Sequence, residues 1–178
     1  MRYFLPLAVL ALAACSSQEP AEQESADDYA SRIGGGQGGA IDPSQPDPDA
    51  PNVAVAQPPA QADLTSLQQL GDVGGVNLGP REGGCTFMVG DKEIIIAAGM
   101  RDRAMQGKAV VRVGNTLVMT DADQGGLDAI RKGTTFAGEG FTVSVAPARG
   151  DASSRAANVI VSDKMGKSQE YSGKWICA

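Results

Sequence analysis

Short apolar runs with β-branched and aromatic residues recur along the second half of the chain, separated by tight turn signals. In 141–146 the apolar residues Phe141, Val143 and Val145 alternate with hydroxyl residues, which is the period of a strand with one buried face. The final run, 169–177, alternates in the same way. The pattern predicts eight strands: Cys85–Val89, Lys92–Ala98, Lys108–Val113, Thr116–Thr120, Thr134–Ala137, Phe141–Ala146, Asn158–Ser162 and Gln169–Cys177.

The segments between and before these strands carry turn and helix signals. Gly114-Asn115 lies between two strand-like runs and predicts a two-residue type II′ hairpin. Leucines three residues apart in 63–70, with Asp63 as a cap and Gly71 as a stop, predict a brief helix. Within 121–133 the apolar residues predict one helical turn between strands. These signals together predict an all-β domain over residues 63–178, which is a small antiparallel barrel or sandwich of about eight strands.

Two cysteines fall at the ends of this predicted sheet. Cys85 opens the first strand and Cys177 nearly ends the last. With a third cysteine, Cys15, assigned to another role below, the remaining pair predicts a structural disulfide in an oxidising compartment. The alternative is a catalytic or metal-binding thiol, which the absence of histidine and of a Cys-x-x-Cys spacing disfavours.

The N-terminus has the features of a secretory signal. A positive residue, Arg2, precedes an apolar run that is too short to span a bilayer as a helix. The run ends Leu12-Ala13-Ala14-Cys15, which resembles the bacterial lipobox. The resemblance implies that residues 1–14 are a signal peptide and that Cys15 becomes acylated. Ser16 after the cysteine implies the outer membrane, facing the periplasm. The alternative is an ordinary signal peptide and a secreted or surface-exposed protein.

The composition of residues 15–62 predicts a disordered tether between the lipid and the domain. Residues 16–62 hold eight acidic residues against one basic residue, a net charge of −7, and are rich in Gly and Pro. From Asp63 onward, 13 acidic residues meet 13 basic residues, so the predicted domain is neutral. Neither part carries the basic stripe that nucleic-acid binding needs.

Few residues carry the chemistry of an enzyme. There is no histidine, the commonest general base. Ser–Lys pairs at 162/164 and 172/174 point outward from predicted strands, and the Asp91/Glu93 pair sits at a turn, without a cleft. The sequence therefore predicts neither an enzyme nor a cofactor, although a cryptic hydrolase is kept as an alternative.

Two further groups of charged residues each allow a binding site or an ordinary solvated surface as the interpretation. Asp121-Ala122-Asp123 begins like a calcium loop, but the position of the bidentate Glu is Lys132, so a solvated turn is favoured over a degenerate calcium site. The second group is a set of basic residues that could form a local face, for which ordinary solubility is the favoured interpretation; its members are Arg81, Lys92, Arg101, Arg103 and Lys108.

The architecture resembles the inhibitors of C-type lysozyme, which are small envelope lipoproteins with a barrel and a disulfide between its first and last strands. The likeness covers about Cys85 to Cys177. It does not include that family's Ser-Gly-x-x-Tyr stretch, because only Ser172-Gly173 is kept, followed by Lys174-Trp175. No inhibitory residue is carried over. The leading hypothesis is a non-enzymatic envelope module, attached to the membrane through Cys15, that binds an envelope protein, peptidoglycan or, as an inhibitor-like protein, lysozyme.

Overall fold

The computed structural model describes residues 52–178. The predicted signal peptide, Cys15 and the greater part of the predicted tether lie outside the described residues. The described chain contains nine strands and one helix: β1 Leu67–Gln68, β2 Gly83–Val89, β3 Lys92–Gly99, β4 Gln106–Val113, β5 Thr116–Gln124, α1 Gly126–Lys132, β6 Thr135–Gly138, β7 Phe141–Pro147, β8 Ser154–Asp163 and β9 Ser168–Cys177.

Strands β2 to β9 form a closed eight-stranded antiparallel barrel. Each strand pairs with the next one in the chain, and β9 returns to pair with β2. At that seam Cys85 lies directly opposite Cys177, and the two form a disulfide across a sequence separation of 92. In the chain-entropy model a loop of this length contributes about 4–5 kcal/mol. The disulfide thus joins the two ends of the barrel sequence where the ring closes.

The strand predictions are confirmed, because each of the eight predicted strands overlaps one of β2 to β9. The predicted hairpin is also present: Val113 pairs with Thr116, and Gly114 has φ 56°, the positive value that the first central residue of a type II′ turn requires. The helical turn predicted within 121–133 corresponds to α1.

The helix predicted over residues 63–70 is wrong. The Asp63 carboxylate accepts hydrogen bonds from the Thr65 N–H (3.1 Å) and hydroxyl (2.8 Å), forming a turn that does not continue as a helix. The chain then enters β1, which pairs with the end of β4. Leu67 and Leu70 are both buried, but they belong to two different apolar clusters. Their spacing of three residues therefore reflects burial in two separate environments and does not mark one face of a helix.

The barrel interior is filled with side chains. Trp175, Phe87 and Phe136 are fully buried there, together with inward-facing aliphatic residues from the barrel strands. Helix α1 packs against the ends of β2, β3 and β4, and the Trp175 indole N–H donates to the Ile130 carbonyl oxygen (3.1 Å). This packing fixes α1 over one end of the barrel.

Residues 62–70 pack against the barrel at its opposite end, where β9 begins. The Tyr171 hydroxyl donates to the Thr65 carbonyl oxygen (2.7 Å) and accepts from the Leu67 N–H (2.7 Å). Burial raises the pKa of Tyr171, so the phenol stays protonated as the donor to Thr65. Ala62 and Leu64 also contact the interior cluster.

Residues 52–62, which the sequence assigned to the tether, also contact the barrel. The Val55 N–H donates to the Leu117 carbonyl (2.9 Å), and the Val55 carbonyl accepts from the Met119 N–H (2.8 Å). This isolated parallel bridge adds a short stretch of chain to β5. The packed part of the described chain therefore begins ahead of the predicted boundary at Asp63.

Candidate functional site

The outer wall of the barrel carries a second apolar cluster beside β3, β4 and β5. Outward-facing Ala98, Val110 and Leu117 are buried there beneath Leu70 and Leu78. The covering chain runs from the end of β1 to the start of β2, and residues 71–81 of it are named the strap. The strap covers the outer face of these strands, and the barrel interior covers their inner face. Both faces of this wall are therefore apolar.

Hydrogen bonds fix the strap at its two ends. On one side the Leu70 N–H donates to the Glu93 carbonyl (2.8 Å), while the Leu70 carbonyl accepts from Arg112 Nε (2.8 Å). On the other side the Glu82 N–H donates to the Gly99 carbonyl (3.0 Å). Between these anchors, no backbone hydrogen bond in the described chain joins residues 71–81 to a barrel strand. Apolar side chains therefore make the contact between the strap and the wall.

The strap is also joined to the start of the described chain. Asn52 Nδ2 donates to the Asp72 carboxylate (2.8 Å), which also accepts from the Gly74 N–H (2.8 Å). The hydrogen bond from Asn52 and then that from Gly74 lower the pKa of Asp72. The first described residues thus contact the strap at Asp72 and Gly75.

An open groove of about 650 Å³ separates part of the strap from the barrel wall. Its volume lies within the range of small-molecule sites, roughly 300–1,000 Å³. The lining is mainly aliphatic and comes from the strap, the outer faces of β3 and β4, and the end of β9: Val73, Val76, Leu78, Ile96, Val110 and Ile176. This groove is the candidate binding site.

Gly84 leaves the floor of the groove without a side chain. A Cβ at this position would lie 2.4 Å from the Ala97 carbonyl oxygen of the paired strand, which is far inside van der Waals contact. A side chain at Gly84 is therefore not accommodated, and Gly84 lines the groove together with Ile176 of β9. Ile176 is 42% exposed, so an apolar surface here remains open to a ligand.

One cation lines the groove without a partner. Arg81, at the end of the strap, is exposed and forms no hydrogen bond or ion pair with the described residues. Its neighbour Glu82 accepts instead from the Arg101 N–H (2.8 Å). The groove thus combines a mainly apolar lining with one cationic side chain, and Ala178, which also lines it, accepts a hydrogen bond from Arg131 (3.0 Å).

A second, smaller cavity lies at the α1 end of the barrel and has a different character. It measures about 370 Å³ and is lined by basic and acidic groups together, among them Arg131, Arg155, Asp128 and Asp151. Arg155 donates through its terminal nitrogens to the carbonyls of Ala148, Gly150 and Arg131. Its guanidinium therefore joins two stretches of backbone, the loop after β7 and the end of α1, which is a structural role.

The residues nominated for catalysis are not brought into a common site. The Ser172 hydroxyl lies 3.1 Å from the Asn158 side-chain oxygen, on the outer face of the β8–β9 pair. Ser162 is on β8, whereas Lys164 belongs to the following hairpin. The Asp91/Glu93 pair falls at the turn between β2 and β3 and at the start of β3.

The calcium-like sequence lies in a strand. Asp121 and Asp123 both belong to β5, and the Asp121 carboxylate pairs with Lys108 Nζ (2.7 Å). A calcium loop wraps its ligands around the ion, whereas an extended strand separates them. Across residues 52–178, no group of three or more His, Cys, Asp or Glu side chains is placed to hold a metal ion.

The basic residues grouped in the sequence analysis are divided between separate contacts. Arg103 pairs with Asp128 of α1 (2.7 Å), and its hydrogen bond lowers the pKa of that carboxyl. Lys108 pairs with Asp121 as described. Of the grouped residues, Arg81 lines the groove.

The groove was not predicted from the sequence, although a signal for it is present in two strands. In 94–96 and in 109–111 the apolar residues are consecutive, which breaks the alternation seen in β7 and β9. A strand that is apolar on both sides has both faces covered. This pattern indicates a covering segment over β3 and β4, but it does not indicate that the cover is incomplete.

No protein-family model, curated protein or solved structure shows significant similarity to this chain. Residues 52–178 contain no helix that is long and hydrophobic enough to span a membrane. The geometry of the groove is therefore the basis on which a function is proposed.

Proposed function

We propose that this protein is a lipid-anchored binding module of the bacterial cell envelope, without enzymatic activity, and that the groove beneath the strap is its ligand site. The observation that carries the proposal is an apolar groove of about 650 Å³ on the outside of a barrel whose interior is filled. Exposed concave apolar surfaces of this size are characteristic of binding sites.

The anchor in this proposal is the acyl chains on Cys15. Leu12-Ala13-Ala14-Cys15 resembles the lipobox, and several acyl chains hold a protein at a membrane far more firmly than one. We place the protein at the outer membrane, facing the periplasm. Its chain before Asn52 would then connect the anchor to the edge of the strap, where Asn52 bonds to Asp72.

A non-enzymatic role is supported by the surroundings of the nominated nucleophiles. Ser172 faces the amide group of Asn158, which does not act as a general base. Among the described residues, the groove itself is lined mainly by aliphatic groups, with Arg81 as its one charged side chain. Such a lining provides affinity for a ligand rather than groups for bond cleavage.

The groove is tested with a neutral apolar dye, N-phenylnaphthylamine, whose fluorescence rises in an apolar site. Two isoleucines on the outer wall have almost equal exposure, Ile176 (42%) and Ile160 (46%), but only Ile176 lines the groove. We expect Ile176→Lys to weaken dye binding about tenfold or more, because it replaces apolar lining with a charged group. The matched variant Ile160→Lys should bind like the parent. Equal behaviour of the two variants, or no dye binding, would contradict the proposal.

The anchor is tested separately by fractionating cells that produce Cys15→Ala. This variant should lose incorporation of labelled palmitate and leave the membrane fraction. Continued acylation without Cys15 would show that the lipid is attached elsewhere.

Lysozyme inhibition is a second candidate, supported by the closed barrel and by a disulfide joining its first and last strands. Titration of the oxidised protein into a C-type lysozyme assay tests it directly. Stoichiometric inhibition would support this function, and full lysozyme activity at molar excess would exclude it while leaving the groove proposal intact.

A further inference from the structure

We propose that the ligand of the groove is a single-chain anionic amphiphile, specifically a free fatty acid whose carboxylate lies at Arg81. This inference rests on the proposed function, because it assigns a chemical class to the same groove. Its evidence is the size of the groove, the distribution of charge along it and the way the strap is attached.

The size of the groove matches one alkyl chain. At about 30 Å³ per heavy atom, the share of a water molecule in the liquid, the groove holds roughly twenty heavy atoms, close to a fatty acid of about sixteen carbons. A phospholipid with two such chains carries about twice as many chain atoms.

The charge distribution selects the head group. The aliphatic lining extends from Val73 on the strap to Ile176 on β9, and Arg81 is its cationic member. Arg81 has no acidic partner among residues 52–178, since Glu82 bonds to the Arg101 N–H. An anionic head group would therefore gain an ion pair at Arg81 that the protein does not already satisfy. A cationic head group would meet repulsion instead.

The attachment of the strap provides a route for entry. Residues 71–81 are anchored at both ends but make no backbone hydrogen bond to a barrel strand. Lifting the strap would break its apolar contacts and the hydrogen bond between Asn52 and Asp72, and it would leave the hydrogen bonds between the barrel strands intact. The ligand would replace these contacts with its own alkyl chain between Val76 and the wall.

The test is a displacement titration of N-phenylnaphthylamine from the full-length protein in a Cys15→Ser background, so that no covalent acyl chain competes. Three competitors with the same alkyl chain are compared: palmitic acid, hexadecanol and hexadecylamine. Each is titrated into the parent and into Arg81→Gln. The matched control is Arg149→Gln, because Arg149 is also exposed and also lacks a hydrogen bond or ion pair among the described residues.

We expect palmitic acid to bind at least about fivefold more tightly than hexadecanol, and hexadecylamine to bind most weakly. Arg81→Gln should remove the advantage of the acid, while Arg149→Gln should retain it. Equal binding of acid and alcohol, with no effect of Arg81→Gln, would overturn the fatty-acid assignment but leave the groove as an apolar site. Failure of the dye itself to bind would overturn the groove proposal as well. Tighter binding of a lysophospholipid than of palmitic acid would assign the site to a lipid head group and refute the free acid.

Discussion

The inside of the barrel and its outer wall beneath the strap are both apolar, but they are packed in different ways. The interior contains large aromatic side chains, among them Trp175 and Phe87, and these are fully buried. The cluster under the strap consists of aliphatic and small residues and borders an open groove. Closed ladders surround the interior, whereas the strap is joined to the barrel strands by backbone hydrogen bonds only at its two ends.

This difference indicates that the interior stabilises the fold, whereas the wall beneath the strap provides the surface for binding. A filled interior offers a ligand no space, and each of its side chains contributes through close packing. The strap is held by side-chain contacts and by its ends, so it can be displaced without breaking the hydrogen bonds between the barrel strands. One small barrel can therefore keep a rigid frame while it presents an apolar surface on its outside.

The largest expected effect is in the interior, at Trp175. Trp175→Ala should lower the free energy of unfolding by about 3–5 kcal/mol, because it leaves a large cavity and removes the hydrogen bond to the Ile130 carbonyl. Trp175 is the only tryptophan, so unfolding is followed by circular dichroism rather than by fluorescence. Trp175→Phe, which keeps most of the volume, should lose less. A loss below about 1 kcal/mol for the alanine variant would mean that the interior is not closely packed.

A smaller effect is expected at the anchor of the strap. Arg112 is 3% exposed and donates to the carbonyls of Leu70 (2.8 Å) and Asn115 (3.1 Å). Arg112→Met should cost about 1–3 kcal/mol, because buried carbonyls lose their donor, and it should speed hydrogen exchange of the Leu70 amide.

The control for this prediction is Lys108→Met on the same strand, because the Lys108–Asp121 pair is exposed. Its expected cost is below about 1 kcal/mol. If the two variants showed the same stability and the same exchange at Leu70, Arg112 would not be an anchor of the strap.

The smallest effect concerns pH and the Asp63 turn. The hydrogen bond from Lys167 Nζ (2.6 Å) and those from Thr65 lower the pKa of Asp63 from 3.8 to about 2. A lowered pKa in the folded state stabilises the protein fully above pH 4, and the contribution is lost as the pH falls from about 4 to 2. Asp63→Asn should flatten that part of the curve in urea unfolding at pH 2–5. An unchanged slope in Asp63→Asn would refute the assignment.

The strands were predictable because their periodicity is local. Residues 141–146 alternate strictly, and the structure buries Phe141, Val143 and Val145 on the inner face. The pairing of Cys85 with Cys177 followed from their places at the two ends of the predicted sheet. In contrast, the leucines of 63–70 were assigned to one helical face, although Leu67 and Leu70 pack into different clusters. Periodicity records that residues are buried, but not in which environment.

The sequence by itself determined the all-β class, the eight strands, the hairpin at Gly114 and the pairing of the two cysteines, because these depend on alternation, turn residues and composition. Only the tertiary structure decided that the sheet closes into a barrel, that residues 52–62 pack against it and that the strap leaves a groove beside Arg81. Closure and the groove depend on contacts between segments that are distant in the chain. A pattern of neighbouring residues does not predict which distant segment covers an apolar face, or how much of that face stays exposed.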